Sequence, residues 1–186
     1  MKKRLKPAAV CAFILLINSC TFDYGETESQ ERNLPDLVME NVEYVRVRSA
    51  DPIASFEAER AERYEKRGLM TLENFSFVQY GSRGQSANVT GKAGNASVHI
   101  ETGDISMVNG VRLEIESEDI IIETQQIDWK DDQKILSSGE NNEVVIYQQN
   151  GTSITGIGLH ADAQRRTWEF TGPVSGVYHH DDNEEN

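Results

Sequence analysis

Cysteine is nearly absent from this chain. Of 186 residues only Cys11 and Cys20 carry a thiol, and both lie in the first twenty. No disulfide framework can hold the remainder together. Proline is scarce as well, with 4 residues against 14 glycines, and 38% of the chain is hydrophobic and 26% charged. That composition is globular, neither collagenous nor wholly disordered. Positive charge is in short supply, with 18 Lys and Arg against 31 Asp and Glu, so the net charge is −13. Such a surface repels phosphates, whose neutralisation drives most nucleic-acid binding. No basic stripe with interleaved aromatics offsets it, so nucleic acid is excluded as a partner. The apolar run Ala8 to Ile17 is short of the roughly 20 residues that a spanning helix needs.

What is present begins with an address. Lys2, Lys3, Arg4 and Lys6 precede that apolar run, which is the pattern of a signal-peptide n-region and h-region. Ile17-Asn18-Ser19-Cys20 follows and resembles a bacterial lipoprotein cleavage site, with Asn18 a departure from the usual residue there. Ordinary signal cleavage and an uncleaved short anchor are the alternatives. Removing residues 1–19, which carry four cations and no anion, takes the net charge from −13 to −17. Acyl chains on Cys20 give stable anchoring when there is more than one of them. The expectation is a cell-envelope protein, tethered at Cys20 and facing an aqueous space. Residues 21–36 read as a flexible acidic linker, 37–178 as one domain, and 179–186 as a disordered acidic tail.

Within the domain the apolar pattern is mostly period two. "NVEYVRV" reads as a strand ended by Asp51-Pro52. "ASFEAERAERYEKR" is ambiguous: its Ala, Glu, Arg and Lys favour a helix, yet Ala54, Phe56 and Ala58 alternate as in a half-buried strand. "GSRGQSANVTGKAG" is small and polar, a loop or a weakly packed edge. Asn109-Gly110 and Asn150-Gly151 are hairpin signals. Val111, Leu113 and Ile115 alternate with charged residues, so one face of that strand is buried. A weak echo at a spacing of roughly 30 residues links "ASVHIETGDISMVNGV", "QIDWKDDQKILSSGENNEV" and "ADAQRRTWEFTGPVSGV", and reads as stacked hairpin-like units. An all-β architecture follows.

Several motifs fail on context. Gly156-Ile157-Gly158-Leu159-His160-Ala161 spells G-x-G-x-x-A, but a polar turn and a further strand follow where a dinucleotide site needs a helix. Gly156 and Gly158, with Gly110 and Gly172, read instead as bulge or close-approach glycines. "TGKAG" at Thr90–Gly94 lacks the Ser or Thr and the strand–loop–helix of a phosphate loop. His99, His160, His179 and His180 have no evident nucleophile or ligand set, so no catalytic residue, cofactor or metal site is expected.

The order of the pieces resembles the LptC family of lipopolysaccharide export and, more broadly, its LptA-type β-jelly-roll relatives. A membrane-targeting N-terminus and linker are followed by "MENVEYVRVRSADPIASFEAERAERYEKRGLMTLENFSFVQYG", similar to the family's opening strands. "NASVHIETGDISMVNGVRLEIESEDIIIETQQIDW" follows the middle pattern, and "NGTSITGIGLHADAQRRTWEFTGPVSG" the closing one. The resemblance covers about residues 36–178. It implies a twisted antiparallel β-jelly-roll-like slab with an apolar interior and a strand, not a helix, at Ala54–Glu65. It also implies binding of lipid A-type acyl chains from a lipopolysaccharide or related glycolipid. The implied partners are an LptB, LptF and LptG transporter and an LptA-like bridge protein, joined edge to edge. Candidate lining residues are Val98, Ile100, Val111, Leu113, Ile115, Ile120, Ile122, Ile127, Trp129, Trp168 and Phe170, all equally suited to filling a core. The strands near Val42–Val47 and Val174–Tyr178 are the expected edges. The acidic charge makes a poor phosphate clamp, so acyl burial must dominate, at roughly 0.8 kcal/mol per CH₂.

Overall fold

The structure is a computed structural model that describes residues 34–81 and 86–179. Cys20, the leader, most of the linker and residues 180–186 of the tail lie outside the described residues. Twelve strands form one antiparallel sheet. They are β1 (Leu37–Arg48), β2 (Asp51–Tyr64), β3 (Leu69–Tyr80), β4 (Ala87–His99), β5 (Ile105–Ile115), β6 (Ile120–Lys130), β7 (Ile135–Ser137), β8 (Glu143–Gln148), β9 (Ser153–Ile157), β10 (Leu159–Asp162), β11 (Thr167–Phe170) and β12 (Val174–Val177). The first six are long and pair in chain order. Three expectations need correction or resolution, each for a physical reason.

The Ala- and Glu-rich stretch is strand β2, paired along its length with β1 on one side and β3 on the other. Two ladders outweigh intrinsic helix preference, which amounts to well under about 1 kcal/mol per residue. From Ala87 on, the small polar stretch is neither a loop nor an edge. Ala87–Gly94 lies in β4, at the centre of the long strands. Its smallness is a packing requirement: a Cβ on Gly91 would collide with the Phe77 ring and with Leu113. Asn109-Gly110 makes no hairpin. Both residues have positive φ, 67° and 81°, but they sit inside β5 as a bulge between Val108 and Val111. Asn150-Gly151 does join a hairpin, β8 to β9, with Asn150 Oδ1 accepting from the Thr152 N–H at 2.9 Å.

The bulge belongs to a larger feature. In a flat strand, inward residues recur every second position. Here the recurrence is broken at one level in all six long strands, by a one-residue slip in five of them and by a two-residue bulge in β5. Buried or core-packed neighbours are Met39 and Val42, Ala58 and Ala61, Leu72 and Phe75, Ala93 and Ala96, Met107 and Val111, and Thr124 and Ile127. Between them lie mostly polar residues and glycines: Glu40 and Asn41, Glu59 and Arg60, Glu73 and Asn74, Gly94 and Asn95, Asn109 and Gly110 after the half-buried Val108, and Gln125 and Gln126. In β1, β3 and β5 the break is made by an asparagine with left-handed φ: Asn41 at 51°, Asn74 at 48° and Asn109 at 67°. Asparagine tolerates that region better than other non-glycine residues. The outer belt is stitched by Arg60 Nη1 donating to Glu40 at 2.8 Å, Asn74 Nδ2 to Glu59, and Asn109 Nδ2 to Asn95 Oδ1 at 2.6 Å.

This crease divides the sheet into two leaves. On β6 it becomes a fork, because Ile120–Thr124 pair with β8 whereas Asp128–Lys130 pair with β7. One leaf continues through β8, β9 and β12, the other through β7, β10 and β11. Among the described residues there is no second sheet and no helix beyond single 3-10 turns. The inner faces, exposed by only 0–6% at their core positions, are therefore covered by each other. The fold is a β-jelly-roll. The three echoed segments are the hairpins β4–β5, β6–β7 and β10–β11.

Candidate functional site

The inner face is built from rows of register partners that cross the strands. One row in the first leaf runs Tyr44, Phe56, Phe77, Gly91, Leu113, Ile122, Ile146 and Ile154, from β1 to β9 without a polar side chain other than the Tyr44 hydroxyl. Its β1 end is aromatic. Tyr44 stacks on Phe56 at 5.0 Å between centroids, Phe56 lies 6.1 Å from Phe75, and Phe75 stacks on Phe77 at 5.7 Å. Beside the crease, Phe75 pairs with Ala93, and Val111, Thr124, Val144 and Gly156 continue the line. Thr124 is the one buried hydroxyl here, and it is satisfied by donating to the Glu143 carbonyl at 2.8 Å. In the second leaf Ala61, Leu72, Ala96, Met107 and Ile127 are partners, all buried.

Burial falls away from the crease toward the strand ends. Val89, Ile115 and Ile120 form a half-buried rim on the first leaf. Met70, Val98, Ile105, Trp129 and Leu136 form the rim of the second. Burial on the inner surface is thus near complete beside the crease and partial at the margins.

The expected lining residues distribute unevenly over this surface. Val111, Leu113, Ile122 and Ile127 are buried near the crease, and Val98, Ile115, Ile120 and Trp129 lie on the rims. Trp168 ends the second rim row opposite Ala161 and is 48% exposed, edge-on to Phe170 at 5.7 Å. Ile100 is misplaced by sequence reasoning: it sits in the turn after β4, 41% exposed, because the strand ends at His99. Sequence reasoning also passed over the aromatic run and Val144, Ile146 and Leu159. The alternation of Val144 and Ile146 in "EVVIYQ" was signal enough for two of these.

The named glycines all sit where a side chain would intrude, Gly110 excepted. It has nothing within 4 Å of a built Cβ and serves its left-handed bulge. A Cβ on Gly156 would lie 2.5 Å from the Phe170 ring, and one on Gly172 2.8 Å from the Ile157 Cβ. Gly158 has φ +70° and faces Thr171. The chain crosses between the leaves at Gly158 and returns at Gly172-Pro173.

Two cavities, about 710 and 320 Å³, lie on the outer face and share Lys92 and Arg112. Arg112 is paired with Glu123, and Glu143 and Glu114 also line them, so carboxylates outnumber the two cations and favour no anion. Among the described residues no group of His, Cys, Asp or Glu is arranged to hold a metal, and no helix is long and apolar enough to cross a membrane.

The sheet ends in free edges. Among the described residues β1 pairs only with β2, β11 only with β10 and β12 only with β9. Leu37, Val38, Tyr44, Val45 and Val47 on β1 are exposed, as are Val174 and Val177 on β12.

The chain matches the family model described as lipopolysaccharide-assembly, LptC-related, over residues 8–179. Comparison with curated protein sequences finds no match. Among solved structures it is similar to LptH, the LptA homologous periplasmic component of the conserved lipopolysaccharide transport device from Pseudomonas aeruginosa. The identity is 14% and the TM-score 0.52, over 68% of this chain and 94% of that one.

Proposed function

The chain belongs to the LptC-related family of lipopolysaccharide-assembly proteins, and we propose that it is the envelope-side carrier that takes the acyl chains of a lipopolysaccharide or related glycolipid between its leaves. The observation that supports this most is the apolar row running from β1 to β9, buried from Gly91 to Ile146 and more exposed toward its two ends. A core needs no such continuity from one edge toward the other. In this reading residues 1–20 are a signal ending at a lipidated Cys20, residues 21–36 a tether, and residues 37–178 the working domain in the periplasm. The free edges are where strand pairing joins neighbours: an LptB, LptF and LptG transporter on the supply side and an LptA-like bridge protein on the receiving side. No step in this passage requires a catalytic group or cofactor.

In-cell photocrosslinking tests the reading. A photoreactive residue at Leu113 or Trp129 should give glycolipid adducts by mass shift, and one at the outward Glu114 should not. Partner adducts at the edges with no lipid adduct inside would instead favour a protein-binding β-domain.

A further inference from the structure

The two ends of the inner surface differ. At β1 the rows end in Val42 and Tyr44, and Tyr44 is 49% exposed. At the far end the line beside the crease runs through Thr124 and Val144 to Gly156, and there the Phe170 ring of the other leaf lies on it. Three ring atoms of Phe170 come within 2.5–2.7 Å of where a Gly156 Cβ would stand. Gly156 has no side chain because the ring occupies its place. The leaves are fastened around this contact by backbone bonds: Thr171 N–H to Gly158 O at 3.0 Å, Gly172 N–H to Ile157 O at 3.0 Å and Ile157 N–H to Pro173 O at 3.2 Å. Beyond Gly156 the same line has one further member, Val174 on β12, which is 55% exposed.

From this asymmetry we infer that Phe170 is the gate of the carrier, a ring that closes the inner surface at its β12 end until the next protein accepts the lipid. The inference rests on the carriage reading above. Phe170 stands on a strand of four residues paired on one side only, and its aromatic neighbour Trp168 is itself half in water. Phe170 is only partly buried against the core, so a swing of its ring breaks side-chain contacts and leaves the backbone bonds in place. Exchanging a ring for an acyl chain over Gly156 replaces one apolar contact by another, so the hydrophobic cost of opening is small when lipid is present and large when it is absent. The gate therefore yields to cargo and holds against water. Phe170 acts by position: it need not select the lipid, only keep it short of Val174.

The test uses the full chain, with labelled lipopolysaccharide as probe and a photoreactive residue at Leu113 to read loading, at Tyr44 to read the β1 end, or at Val174 to read passage. In the parent protein Leu113 and Tyr44 should label strongly and Val174 weakly. Phe170→Ala should raise Val174 labelling several-fold relative to Leu113 labelling in the same variant. A second variant, Gly156→Cys with Phe170→Cys, guards against misfolding of the first. Oxidised, it should lose Val174 labelling, and reduced, the same molecules should regain it. Equal Val174 labelling in parent, Ala variant, oxidised and reduced forms, with loading intact, would overturn the gate and leave carriage standing. Absence of Leu113 labelling in the parent would overturn carriage and the gate with it.

Discussion

Asp104 ties two of the hairpin turns together. Its carboxylate accepts from Lys130 Nζ at 2.8 Å and from the Asp131 N–H at 3.1 Å, while its carbonyl closes the β4–β5 turn by accepting from the His99 N–H. The Lys130 hydrogen bond and then the Asp131 amide hold the Asp104 carboxyl below its usual range, and the same bond raises Lys130. A carboxyl lowered by folding adds stability above its unfolded value, near about 4, and loses it as pH falls through the lower folded value. A lysine raised by folding adds stability below its unfolded value and loses it as pH climbs past the folded one. Asp104→Asn should therefore flatten the acid limb of the stability–pH curve, read from urea midpoints at successive pH values, and leave neutral pH less affected than a core substitution would. The feature could not be read in advance. "TGD" announces a turn, but the partner that gives Asp104 its charge environment comes from another hairpin.

At the scale of the element, the crease is the most informative feature. Asn74 adopts a left-handed backbone in the middle of β3. Asn74→Ala should destabilise the protein by about 1–2 kcal/mol relative to Asn74→Gly, since both lose the amide bond to Glu59 and only alanine pays for the conformation. Urea unfolding of the two variants checks this. The crease also explains what was and was not legible. From Val111 onward, Val111, Leu113 and Ile115 keep strict alternation and were assigned to the inner face from sequence. Before it, the slip puts Ala58 and Ala61, or Leu72 and Phe75, three apart, which imitates helical spacing in a sequence already rich in helix formers. Asn109-Gly110 misled for a related reason: a turn and a bulge want the same positive φ, and only the register of the neighbours tells them apart. The aromatic run of Tyr44, Phe56 and Phe77 was hidden because its members meet across strands and never along one.

At the scale of the whole molecule, a sheet with free edges invites pairing. β1 offers twelve residues, several exposed and apolar, and its charges Glu40, Glu43, Arg46 and Arg48 do not cover them. Val45 is 48% exposed. Val45→Lys, a charge of the kind that blunts natural edges, should abolish partner crosslinks from β1 with no fall in melting temperature. The edges at β1 and β12 were expected from sequence because first and last strands of an open sheet have one neighbour each. The fork at β6 was not, since it follows from how far the leaves have turned by then. The slip that turns them has a consequence for insertions and deletions. Losing one residue elsewhere in a long strand flips everything beyond it from inside to outside. Losing Asn41, Glu59, Asn74, Gly94 or Gln125 flips nothing and merely restores even spacing, and losing Asn109 with Gly110 removes the β5 bulge without changing its parity. A chain shortened at all six places would satisfy every in–out preference and yet be flat, with its apolar side bare. Solubility here is carried by a handful of out-of-step residues.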